Sequence, residues 1–215
     1  MVTNTASAQP VAASRFVAHL SVAAAMLSLV SLAALHVLSP EFDPSWRMVS
    51  EYALGNYSGL LSLMFISMSV SCVALFFAIK PQVRTLGGKI GLGLLLAGAL
   101  GLAMASVFDV THSLHGPASL IGNPGLSLAA IVLSVSLSRT PAWSSARRQL
   151  LLVGNLPWVS LVLMVATLFI GLSQNGGEFG PDVLVGWPNR LVMFAYGAWL
   201  ITVARRASQL SDTAS

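Results

Sequence analysis

Residues 16–38 read FVAHLSVAAAMLSLVSLAALHVL, an apolar run broken only by His19, His36 and isolated serines. Wound as a helix at about 1.5 Å per residue, the run exceeds the roughly 30 Å hydrocarbon core of a bilayer. It is longer than the apolar region of a signal peptide, and no small-x-small cleavage site precedes Ser39-Pro40. The stretch therefore predicts a retained transmembrane helix, and the rest of the chain follows its pattern. Similar runs occupy residues 60–79, 90–108, 118–137, 150–172 and 191–204, giving six expected spans.

Composition agrees. Of the 215 residues 55% are hydrophobic and only 8% charged, against roughly 25% charged in soluble domains, so the expected class is an all-α, polytopic integral membrane protein. The net charge of +4 does not indicate nucleic acid, because the basic residues lie in short groups between apolar runs without interleaved aromatics. Those groups set orientation instead. In a six-span topology Arg15, Lys80, Arg84, Lys89, Arg139, Arg147, Arg148, Arg205 and Arg206 fall on one side, and only Arg47 and Arg190 on the other. The positive-inside rule then puts both termini in the cytoplasm, as expected for a protein of the cell (inner) membrane. Glu41, Asp43, Glu51, Asp109, Glu178 and Asp182 gather on the outer side, leaving Asp212 inside. The unusual chemistry is expected on the outer face.

Residues 1–14 are small and polar and read as a mobile cytoplasmic tail, 15–206 as the transmembrane domain, and 207–215 as a second cytoplasmic tail. The cytoplasmic loops are short, with Pro81, Gly87, Gly88 and Pro141 marking turns. The outer connections 39–59 and 173–189 are longer, and Trp46, Tyr52, Tyr57 and Trp187 suit the depth of the headgroups. In the third run Gly91, Gly93, Gly98 and Gly101 allow close helix approach, as do Ser67 and Ser71, four apart, in the second. Cys72, inside an apolar run, reads as a packing residue, and a single cysteine builds no disulfide framework.

Three groups of residues are candidates for chemistry. In the first, Thr111 is expected to cap the fourth helix, placing His112 and His115 on one face three residues apart, with Asp109 able to bend back toward them. Two imidazoles and a carboxylate with an open position suit a divalent metal such as zinc, although no cofactor is firmly implied. The same residues suit equally a helix start in contact with headgroups and water. In the second, Gly116-Pro117 and Gly122-Asn123-Pro124-Gly125 are expected to interrupt the fourth helix, either as plain kinks or as breaks of the kind found at transporter sites. In the third, Pro188 suits the first position of the sixth helix and puts Arg190 in its first turn, at or just inside the membrane boundary. An arginine there needs partners, and Glu51 and Asp109 are nearest in depth, with Tyr52 and His36 close to the same level. An ion-pair network over Glu51, Tyr52, Asp109, His115 and Arg190, joining helices two, three, four and six, is the expected arrangement. The alternative is that Arg190 binds a lipid headgroup or a small anionic ligand.

Three segments resemble a known family: Ser50-Glu51-Tyr52-Ala53-Leu54-Gly55 before the second run; Phe108, Thr111, His115 and Gly116 between the third and fourth; and Gly186-Trp187 with Arg190-Leu191 at the last. Together they resemble the bacterial and archaeal membrane proteins grouped as domain of unknown function 998, over about residues 16–205. Where members carry Phe-Pro-x-Asp, this chain has Phe108-Asp109 without the proline. The resemblance implies a six-helix membrane protein and no particular reaction. Two functions stay open. The first is a non-enzymatic structural protein, or a binder or carrier of a lipid or small molecule. The second is a membrane-embedded metal-dependent hydrolase in which Asp109, His112 and His115 hold the metal.

Overall fold

A computed structural model describes residues 8–212, with side chains described from 15 to 211. Six long helices account for most of it: α1 (Ala8–Leu38), α2 (Ser58–Ile79), α3 (Leu86–Val107), α4 (His115–Ser138), α5 (Arg147–Gln174) and α6 (Gly186–Asp212). Short 3-10 segments at Val49–Leu54, Lys80–Gln82 and Pro141–Ala146 fill three of the connections, and there is no strand among the described residues. Each expected apolar run coincides with one helix, α3 ending one residue early at Val107 and the helices otherwise reaching up to eight residues beyond the runs. The two expected tails fall partly outside the described residues. Residues 1–7 and 213–215 lie outside the described residues, α1 is already helical from Ala8, and α6 continues to Asp212. Pro10 does not prevent the early start, because a proline in a first turn removes only an N–H that has no helical partner.

Successive helices run antiparallel and pack side by side in chain order, and α6 returns against α1 to close a ring, with α2 and α6 also touching across the middle. The core includes Leu32, Leu35, Met64, Met68, Leu75, Leu95, Leu126, Leu133, Tyr196 and Trp199, all fully or almost fully buried. The outer surface, by contrast, exposes Val30, Phe77, Leu100, Leu120, Val159, Phe169 and many similar side chains. Apolar exposure on that scale is the signature of a lipid-facing wall. Five helices, α1 to α5, are long and apolar enough to cross a membrane. By composition α6 falls short, with Asn189 and Arg190 at its start and Tyr196, Gly197 and Trp199 in its middle.

Small and hydroxylated residues set the seams. Ser21 and Ser71 each donate to the other's backbone carbonyl across α1 and α2, at 2.9 and 2.8 Å. Ser69 reaches the Ala99 carbonyl of α3 at 2.8 Å. Between α3 and α4, Gly101 faces the backbone of Gly122, and a methyl added to Gly98 would meet Leu126 N at 3.0 Å. These contacts explain the glycines expected to break α4. The helix runs unbroken from His115 to Ser138 through Pro124, and Gly122 and Gly125 serve its close approach to α3.

Candidate functional site

All the polar chemistry of interest lies at the end of the bundle opposite the nine clustered basic residues. Residues 39–57 form a cap over this end. Asp43 begins it by accepting from the Ser45 N–H at 2.9 Å, and that turn, chiefly its backbone hydrogen bond, holds the carboxyl below the usual aspartate value. Next, the 3-10 segment is closed by Glu51, which accepts from the Met48 N–H at 2.7 Å. The other carboxylate oxygen of Glu51 takes Arg47 Nη1 at 2.6 Å, and the Arg47 guanidinium lies over the Trp46 ring, 4.1 Å from its centre. The cap is locked to α6 by Val49 N–H to Asn189 Oδ1 at 2.8 Å and Gly186 N–H to Ser45 O at 3.0 Å. Gly186 must be glycine-sized, since a methyl there would stand 2.8 Å from Trp46 N.

Arg190 is the buried anchor of this assembly, only 1% exposed. Its Nε donates to His36 Nε2 at 2.6 Å, Nη1 to the carbonyls of Arg47 at 2.6 Å and Gly186 at 3.1 Å, and Nη2 to the Tyr52 hydroxyl at 2.9 Å. His36 can accept because its Nδ1–H is committed to the Leu32 carbonyl at 2.7 Å, leaving a lone pair on Nε2. Tyr52, packed edge-on to Phe42 and His36, completes the enclosure. The expected network is therefore drawn differently. Arg190 joins α1, the cap and α6, not helices two, three and four, and its partners are neutral acceptors. Glu51 is taken by Arg47, four residues away. No carboxylate lies within ion-pair distance of Arg190 among the described residues.

Asp109, His112 and His115 follow a different plan from the expected one. Helix α4 begins at His115, so His112 lies in the preceding turn and not on the helix. Thr111 does not cap the helix. Instead its hydroxyl and its N–H both donate to Asp109 Oδ1, at 2.6 and 2.8 Å, and the hydroxyl is the larger of the two influences that keep Asp109 below the usual aspartate value. His112 Nδ1 accepts from the Leu114 N–H at 3.1 Å, and its ring packs against Phe108 with centres 4.6 Å apart. His115 Nδ1 donates to the Phe108 carbonyl at 2.9 Å. Among the described residues no three His, Cys, Asp or Glu side chains converge as a metal shell.

A cavity of about 360 Å³ opens under the cap, between α2, α3, α4, α5 and α6. Its wall is mainly apolar, with Phe65, Leu102, Ala118, Met164 and Met193 among the lining, and its polar residues are Ser50, Glu51, His115, Ser119, Asn123 and Asn189. A smaller recess of about 180 Å³ adjoins it through Ser50, Phe65, Ala105 and His115 and reaches Asp109. Glu51 and His115, expected to be close, do meet here as two walls of one space. Asn123, Asn189 and Ser119 were not anticipated as site residues. The first two stand within quoted motifs, while Ser119 has no distinguishing neighbours in the sequence.

An all-helical protein with lipid-facing helices, and a capped polar end above a partly open cavity, is the class that these features define. The family model described as "Protein of unknown function (DUF998)" matches residues 22–206, and the chain belongs to that family. No curated protein and no solved structure matches the chain.

Proposed function

We propose that the protein is a six-span binder or carrier of a small amphipathic molecule, with both termini cytoplasmic and the cap at the outer face of the cell membrane. The cavity under the cap carries this reading. It is bounded by the cap and five helices, mostly apolar, sparsely polar, and within the size range of sites that hold small ligands. The sixth span is supported by the way α6 is housed. Its apolar middle is buried against neighbours on both sides, and its arginine receives hydrogen-bond acceptors from the cap and α1 in place of water. Orientation rests on the nine basic residues at one end against Arg47 and Arg190 at the other.

The binding reading is tested by native mass spectrometry of the purified protein with amphiphiles added. Wild type should retain an amphiphile that Ser119→Trp, which fills the cavity, releases while keeping its helicity. Equal retention by both, or none by either, would overturn it. The metal-dependent hydrolase is the lesser reading, because Asp109 and His112 are committed to their own turn. It requires stoichiometric bound zinc that disappears in the His112→Ala, His115→Ala double variant, and metal analysis decides it directly.

A further inference from the structure

The polar groups left open in the cavity define the chemistry of what enters it. The formally charged carboxylate on its wall, Glu51, is already neutralised by Arg47 and holds the Met48 N–H. Arg190 is sealed behind the cap with four N–H groups occupied by protein. An anionic head would thus find no open cation here, and a cationic head would compete with Arg47 for Glu51. Asp109, in the adjoining recess, is solvent-exposed, so its field is screened.

What remains is neutral. His115 turns Nδ1–H back to the Phe108 carbonyl, so Nε2, across the ring, is an acceptor with no protein partner among the described residues. Asn123 uses its carbonyl and Oδ1 to receive the Tyr196 hydroxyl, at 2.9 and 3.3 Å, leaving its Nδ2–H₂ as a donor. The hydroxyls of Ser50 and Ser119 line the same space without a protein partner among the described residues. One aromatic acceptor, one amide donor and two hydroxyls above an apolar floor match an uncharged head that both donates and accepts hydrogen bonds. We infer that the cavity takes a neutral, hydroxyl-bearing amphiphile, such as a glyceride or a long-chain alcohol, with His115 Nε2 accepting from its hydroxyl. The inference rests on the binding function proposed above and specifies its ligand.

The test uses the full chain in lipid nanodiscs and three probes of one chain length: a monoacylglycerol, the corresponding fatty acid at neutral pH, and the corresponding alkylamine. The monoacylglycerol should bind at least about tenfold more tightly than either charged probe, a preference worth about 1.4 kcal/mol. His115→Asn keeps a donor where Nδ1 stood but has nothing at the Nε2 position, and it should erase most of that preference while the protein stays folded. If His115→Asn fails to fold, Ser119→Ala, which removes only one hydroxyl, should still weaken monoacylglycerol binding more than fatty acid binding. Equal or tighter binding of a charged probe would overturn the assignment of ligand class and leave the binding function standing. Retention of none of the three would overturn both.

Discussion

A guanidinium removed from water is stable only when its N–H groups are occupied, and Arg190 meets that condition with neutral acceptors. Truncating it would strand His36 Nε2, Tyr52 Oη and the Arg47 carbonyl together. Arg190→Ala should therefore lower stability by about 2–4 kcal/mol, as expected for losing a buried hydrogen-bonded network. Arg147→Ala, at an exposed position, should change thermal unfolding in detergent hardly at all. Equal, small effects would show that the anchor is not one. Asp109 offers a second measurement. Its lowered pKa means that the turn is fully stabilised above the ordinary carboxylate value of about 4, and that this is lost as pH falls through the lowered value. Thr111→Val should raise the titration midpoint of Asp109, read from its carboxyl chemical shift. An unmoved midpoint would refute the role given to Thr111. At this scale the sequence was partly legible. Depth along the spans groups Arg190 with Glu51, Tyr52 and Asp109, but depth does not choose between partners. The i, i+4 spacing of Arg47 and Glu51, present in the chain, decides that pairing locally. Asp109 and His112 accept from N–H and O–H groups of their own turn, and short polar side chains close turns in this way as readily as they cap a helix, a choice that spacing alone does not reveal.

Between elements, the glycines carry different weights that hydropathy does not distinguish. Gly98 lies against Leu126 of α4, whereas Gly93, one face away on the same helix, has nothing within 4 Å. Gly98→Ala should destabilise by about 1–3 kcal/mol through overpacking of the α3 and α4 seam. Gly93→Ala should be neutral or slightly stabilising, because alanine favours the helix. Comparable losses in the two variants would mean that the seam is not closely packed. All six helices were visible as apolar runs, because an uninterrupted apolar stretch of that length admits few other structures. Which helices are neighbours was not visible. That depends on side chains such as Ser21, Ser71 and Ser69 finding carbonyls across a gap, and single serines in apolar runs look alike in sequence.

For the whole molecule, topology is open to direct measurement. In a Cys72→Ser background, Asn56→Cys and Glu178→Cys should react with an impermeant maleimide on intact cells, while Gly87→Cys and Ser144→Cys should not; all four positions are exposed. The reverse pattern would invert the orientation, and labelling of Ser211→Cys together with Glu178→Cys would show that α6 does not cross. The ring closure has a consequence for how the protein is made. Helix α6 is held at one end by Arg190 on His36 and near the other by the Ser208 hydroxyl, 3.1 Å from His19 Nε2. Both histidines belong to α1 and both of their partners to α6, so these contacts join helices far apart in the chain. Until α6 is made, His19 and His36 of α1 lack these two partners, and α6 is less apolar than the helices before it. Helix α6 then enters a slot between α1 and α5, so a chain cut short before Trp187 lacks its closing contacts and leaves that seam open to lipid.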